Sequence, residues 1–344
     1  MARNFFLGPI LASKTGSIPQ EIYDVMLSDS ANIYFWAFTG RADLAHVYII
    51  GGWAIVIGIS FYVLIMTYCE IELISSWRSF NGYQKVYKHQ SHENQCEMTF
   101  GVYLPCATHH TGPRPTLFFL SGITATHANF IEKFGPQRLA DKYGFIIINP
   151  DTSPRGDDVP DMDGPDFGKG AGFYLDATEE PWSKNYRMYS YVTKELLDIN
   201  FPIDEEKIGI FGFSMGGHGA ITIGLKHPEI FKSISAFAPV CHPAKSFFGR
   251  RLFARYLGTD EATWADYDSS MLAARYTGPK RVIRVDIGAI DPFLVKKELQ
   301  PESIQNNEHL EVDYHCQPDY DHSHWFVASF IEKHFEHHAK ELGV

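Results

Sequence analysis

Cysteine is scarce here: Cys69, Cys96, Cys106, Cys241 and Cys316 stand far apart, with none of the close pairs that ligate zinc. Their odd number and scatter also lack the even framework from which small secreted domains build disulfides, so free thiols in a reducing compartment are expected. An excess of positive charge is missing too. Of the formal charge of −11, residues 1–72 carry 3 basic and 6 acidic groups and residues 73–344 carry 27 and 35, so neither part offers the cationic face that a phosphate backbone requires. Nucleic acid is thereby excluded as a partner. No internal repeat and no low-complexity tract interrupts the 344 residues. With 45% hydrophobic and 21% charged residues, the composition is neither disordered nor fibrous, and the length accommodates one large core plus an appendage.

One long apolar run is present. Residues 47–69 read VYIIGGWAIVIGISFYVLIMTYC without a charge, between Arg41 and Asp43 on one side and Glu70 and Glu72 on the other. A helix needs about 20 apolar residues to cross a bilayer, and this run begins too far from Met1 and is too long for a secretory signal. Arg41 before it, against Arg78, Lys85 and Lys88 after it, favours a cytoplasmic C-terminal side. The expected organisation is an N-terminal extension, 1–72, with a transmembrane helix over 47–69, and a main domain over 73–344. The helix would make a membrane contact and tether a cytoplasmic main domain; the alternatives are a hydrophobic helix buried against the main domain and an appendage that is not part of the working protein.

Beyond residue 73 the texture changes to short apolar runs alternating with helical patterns. YQKVYKHQ and EMTFGVYL alternate as an antiparallel edge pair should. TLFFL (116–120), FIIIN (145–149), KIGIFGF (207–213), SISAFAP (233–239), RVIRVDIG (281–288) and HLEVDYH (309–315) are compact strand candidates, several apolar enough to be covered on both faces. Helical patterns cover 185–197, 216–227 and 324–342. This alternation predicts an α/β fold with a mostly parallel central sheet and helices on both faces. Residues 151–183, rich in Gly, Asp and Pro, read as a long ordered loop, and loops of that length inside a domain are usually functional.

Gly212-Phe213-Ser214-Met215-Gly216 is a G-x-S-x-G element directly after a buried strand and before a helix, the context of a nucleophile elbow in an α/β-hydrolase fold. A serine hydroxyl needs a base to take its proton, and the base needs an orienting acid. In this fold the order is Ser, acid, His, each on a loop after a later strand. Asp291 follows RVIRVDIG and His322 follows HLEVDYH, which makes Ser214, Asp291 and His322 the candidate catalytic triad. Asp286 and Asp321 compete for the acid's role, but the first lies within a strand and the second adjoins the base. His334, His337 and His338 read as a solvated helix face rather than metal ligands, so neither metal nor cofactor is expected. The oxyanion donors are expected to be the backbone N–H of Met215, which opens a helix, and that of Ile123 in the loop after TLFFL.

Residues 73–344 resemble the S-formylglutathione hydrolase (esterase D) family in Leu120-Ser121-Gly122-Ile123-Thr124, Pro150-Asp151-Thr152-Ser153-Pro154-Arg155-Gly156, Gly170-Ala171-Gly172-Phe173-Tyr174, Asn185-Tyr186-Arg187-Met188-Tyr189-Ser190-Tyr191 and Tyr320-Asp321-His322-Ser323. The family's nucleophile, acid and base fall on Ser214, Asp291 and His322. The resemblance implies hydrolysis of S-formylglutathione to glutathione and formate in formaldehyde detoxification, a side activity on small esters, a cytosolic location and a homodimer. Arg155, Lys184 or Arg187 could meet the anionic glutathione or be structural. Ala125 stands where the family commonly has cysteine, which implies weaker inhibition by thiol reagents, and Phe213 replaces a frequent histidine. The extension has no counterpart in the family. Two other functions fit less well: a general small-acyl carboxylesterase or acyltransferase with the same triad, and a non-catalytic membrane-tethered interaction protein.

Overall fold

The computed structural model describes residues 71–106, 112–164 and 166–344, with the backbone of 48–50 and 53–55. The chain divides into two compact units, Met1–Thr67 and Tyr68–Val344.

In the first unit, β1 (Tyr48–Ile50) pairs antiparallel with β2 (Trp53–Ile55), Tyr48 opposite Ile55 and Ile50 opposite Trp53. This corrects the expected helix at these positions. β-branched Ile49, Ile50 and Ile55 suit strands better than a helix. The remainder of 47–69 lies outside the described residues. Among the described residues no helix is long and apolar enough to cross a membrane.

The second unit is built on β3 (Glu72–Ser79), β4 (Gly82–Gln90), β5 (Glu97–Leu104), β6 (Arg114–Leu120), β7 (Ile146–Pro150), β8 (Ile203–Phe213), β9 (Phe231–Phe237), β10 (Arg281–Gly288) and β11 (Leu310–Gln317). They form one sheet in the order β11-β10-β9-β8-β6-β7-β5-β4-β3. From β11 to β7 every pairing is parallel; from β7 through β5 and β4 to β3 every pairing is antiparallel. The parallel strands carry the apolar runs. Leu117, Phe118, Phe119, Ile148, Ile210, Phe211 and Ala236 are fully buried, because crossover helices cover both faces.

Which helix covers which face follows from the two-residue period of the strands. Ile210 and Ile234 pack against Gly224 of the helix Met215–Lys226. Ser233 and Ser235, one residue out of phase with them, bond to the C-terminal helix His324–Leu342 on the other face. The helix Met215–Lys226 is buried on nearly every side from Met215 to Leu225.

The C-terminal helix overturns the reading of its histidines as a solvated face. His334 and His338 are fully buried and His337 half-buried. His338 bonds Ser233 and Ser235 through its two ring nitrogens, at 2.6 and 2.9 Å. His334 bonds Ser235 at 2.8 Å and the Asp286 carboxylate at 3.1 Å, while His337 reaches the carbonyl of Ile234 at 3.0 Å. Their polar atoms tolerate burial because the facing strands supply partners.

Candidate active site

The site grows from the C-terminal edge of the parallel strands, where the loops after β8, β10 and β11 converge. At the end of β8 the chain reverses into the helix Met215–Lys226 within one residue, which leaves Ser214 at φ 58°, ψ −118°. A side chain so placed is strained, and strain of this kind persists only where the surroundings over-determine it. Here the Ser214 N–H donates to the Phe237 carbonyl at 2.8 Å, and the Ser214 carbonyl accepts from the His218 N–H at 3.0 Å. Gly216 is sterically required, since a Cβ there would overlap the carbonyls of Leu120 and Ser121.

Asp291 is fully buried. One of its oxygens, Oδ1, accepts from the backbone N–H of Phe293 at 2.8 Å and more weakly from that of Leu294 at 3.4 Å, capping the short helix Pro292–Val295. The other, Oδ2, accepts from His322 Nδ1 at 2.5 Å. An ionised carboxylate can only accept, so the imidazole carries its proton on Nδ1 and offers Nε2 as an acceptor. That atom lies 2.9 Å from Ser214 Oγ. The acid and base loops are tied by the Ile290 N–H to the Tyr320 carbonyl, 3.0 Å, across Gly288, where a Cβ would strike the carbonyl of Tyr320. Phe213 and Phe293 flank the imidazole, each ring centroid 4.7 Å from it. A hydroxyl, an imidazole and a carboxylate joined in this order can withdraw the serine proton as the oxygen attacks a carbonyl and return it to a leaving group.

The amides of Met215 and Ile123 donate to no protein acceptor among the described residues. Met215 is the first residue of its helix and its N–H has no partner within it. Ile123 follows Gly122, whose position is so close to the nucleophile that a Cβ there would sit 3.3 Å from Ser214 Cβ. The competing acids go elsewhere: Asp286 bonds His334, Arg284 and Gln317, and Asp321 is exposed.

Residues 91–337 match the family model described as "Putative esterase". S-formylglutathione hydrolase of Bos taurus is 47% identical over 280 residues, covering 79% of this chain and 99% of that protein; the enzyme of Paracoccus denitrificans is 47% identical over 278 residues, covering 79% and 98%. The solved structure of an S-formylglutathione hydrolase from Agrobacterium tumefaciens superposes with a TM-score of 0.75 at 45% identity, over 79% of this chain and 99% of that one. The chain belongs to the S-formylglutathione hydrolase family. Its fold is the esterase-type α/β-hydrolase fold.

Family membership leaves the cationic residues to be placed. Arg155 spends its guanidinium on Asp151 at 3.0 Å and on the Ala125 carbonyl at 3.0 Å, and Arg187 spends its own on Glu93 and Asp176, so both are committed to structure. Lys184 is exposed. Burial holds the thiols of Cys96 and Cys241 above their ordinary value, which keeps both protonated and poorly nucleophilic. Among the described residues no group of histidines, cysteines and carboxylates is arranged to hold a metal ion. Sequence reasoning missed the polar contacts that brace the loop after β6, which join atoms far apart in the chain and leave no local pattern.

Proposed function

We propose that this chain hydrolyses S-formylglutathione to glutathione and formate, with residues 73–344 as the catalytic domain, Ser214, His322 and Asp291 as the catalytic triad, and the amides of Met215 and Ile123 as the oxyanion donors. The observation that carries the reading is the bonded line from Ser214 Oγ to His322 to Asp291, in a member of a family whose curated relatives bear that activity as their name.

Ser214 Oγ attacks the formyl carbon as its proton passes to His322 Nε2. The carbonyl oxygen becomes an oxyanion between the amides of Met215 and Ile123, where the helix N-terminus also favours negative charge. Collapse breaks the C–S bond, the imidazolium protonates the glutathione sulfur, and a formyl ester remains on Ser214. Water, deprotonated by the same imidazole, attacks that ester, and collapse releases formate and the serine hydroxyl. Asp291 stabilises the imidazolium in both halves.

The decisive assay compares kcat/KM for S-formylglutathione with that for p-nitrophenyl acetate. The thioester is expected to be the better substrate; preference for the ester would assign a general carboxylesterase instead, because fold and triad do not fix the acyl donor. The same reading places the enzyme in the cytoplasm as a homodimer, with membrane contact confined to the apolar residues 47–69. Cell fractionation with carbonate extraction, and light scattering on the purified chain, check it: a monomer, or a protein absent from cytosolic and membrane fractions alike, contradicts it.

A further inference from the structure

The long loop over residues 151–183 takes no part in the chemistry above, yet four of its groups reach back to the loop after β6. The Tyr174 hydroxyl donates to the Ser121 carbonyl at 3.0 Å. The Gly170 carbonyl accepts from the Thr124 N–H at 2.9 Å. Thr152 Oγ1 and Arg155 Nη2 both donate to the Ala125 carbonyl, at 2.5 and 3.0 Å. Residues 121–125 are thus held at both ends and near the middle, and the Ile123 amide lies inside the clamped stretch.

Of these contacts the one from Tyr174 is the most constrained. Its side chain is fully buried, and its ring lies so close to Gly219 that any side chain at 219 would collide with it. Phe173 and Tyr174 are consecutive non-glycine residues at φ 50° and 51°, a left-handed conformation that is costly for aromatic residues. Strain at such a place points to a position that the fold holds for a reason, and an observed outlier is the proper start of a functional hypothesis. Without the phenol, the buried Ser121 carbonyl would lose its hydrogen-bond donor, and the Ser121–Gly122 peptide, which immediately precedes the one carrying the Ile123 amide, would lose the bond that fixes its orientation.

We infer that Tyr174 is a positioning residue for the oxyanion hole: its hydroxyl fixes the Ser121 carbonyl and so aims the Ile123 amide at the developing oxyanion. The inference rests on the proposed hydrolase reading and extends it to the loop clamp, with Thr152 and Arg155 holding the far end. Burial raises the Tyr174 hydroxyl well above its ordinary value, so it stays a donor across the working pH range and its contribution is independent of pH there.

Tyr174→Phe keeps the ring and removes only the donor. Removing an oxyanion donor outright costs about 10²–10³-fold in kcat, so loosening one is expected to cost roughly 10- to 100-fold in kcat on S-formylglutathione, with KM within about twofold. Affinity for a tetrahedral boronic-acid analogue should fall by the same factor as kcat/KM, a correlation that a purely structural role would not produce. Thr152→Val should show the same paired losses and Thr152→Ser should restore both; this pair decides the matter if Tyr174→Phe does not fold. Unchanged kcat and analogue affinity, or a fall in activity with analogue affinity intact, overturns the inference. A wild-type protein without thioesterase activity, or one whose activity survives Ser214→Ala, instead overturns the underlying reading.

Discussion

Ser214→Ala is expected to lower kcat on S-formylglutathione by about three or more orders of magnitude, and His322→Ala by a similar factor, because triad members act as a unit and the loss of either disables both. The geometry supports this strong form. Ser214 Oγ and His322 Nε2 are 2.9 Å apart and the imidazole is held on its other side by a fully buried carboxylate, so the base is fixed within reach of the hydroxyl. Asp291→Asn separates two roles of one side chain. Asparagine preserves an acceptor toward Phe293 and Leu294, so the short helix stays capped, but its amide facing His322 Nδ1 favours the wrong tautomer and costs about 10⁴ in kcat. Asp291→Ala removes the cap as well and should add about 1 kcal/mol of destabilisation. Steady-state kinetics with thermal melts of the four variants provide the check; retention of more than a tenth of wild-type kcat by Ser214→Ala would remove the serine from the mechanism.

How much of this was legible in the sequence depends on what kind of interaction made each part. The parallel core was legible because strands such as TLFFL and KIGIFGF are apolar enough to need cover on both faces; they appear within Arg114–Leu120 and Ile203–Phe213. Ser214, Asp291 and His322 could be chosen because fold order confines each to a loop after one strand, and the structure brings those three side chains together. Residues 48–50 and 53–55 were misread because hydropathy cannot distinguish an apolar helix from a pair of apolar strands. The clamp of Tyr174, Thr152 and Arg155 on residues 121–125 was out of reach, because it depends on polar atoms about 30 to 50 positions apart in an irregular loop that has no period to read. The histidines of the C-terminal helix were misjudged although the pattern was there. Val327, Ile331, His334, Phe335, His338 and Leu342 form one stripe at helical spacing, with His334 and His338 inside it, and Ser233, Ser235 and Asp286 recur on the facing strands as buried polar groups in need of partners.

That buried stripe makes the fold acid-labile. Burial pushes His334 and His337 down to about 4, and His338 well below its ordinary value; His218, buried on the helix Met215–Lys226 against Ser269, is likewise pushed down to about 4. For His334 desolvation, helped by the positive charge of Arg284 and by His315, outweighs the Asp286 carboxylate, which pulls the other way. His337 and His338 also face one another and His334, so a proton on one is repelled by the rest. Unfolding returns each imidazole to about 6.5, so the unfolded chain binds more protons below that value and stability falls as pH falls. The contribution is therefore fully present above pH 6.5 and is lost as pH drops toward 4. At 1.36 kcal/mol per pH unit, His218 and His334 each account for roughly 3 kcal/mol across that window, and a domain stability of about 5–15 kcal/mol does not survive several such losses. Urea titrations followed by tryptophan fluorescence should show a midpoint that is level above pH 7 and falls steeply between pH 6 and 4.5. His338→Gln should lower stability at pH 7 by breaking the contacts to Ser233 and Ser235, yet make the acid slope shallower by up to one proton. A midpoint constant from pH 7 to 4.5 would mean that these imidazoles are not held neutral by the core.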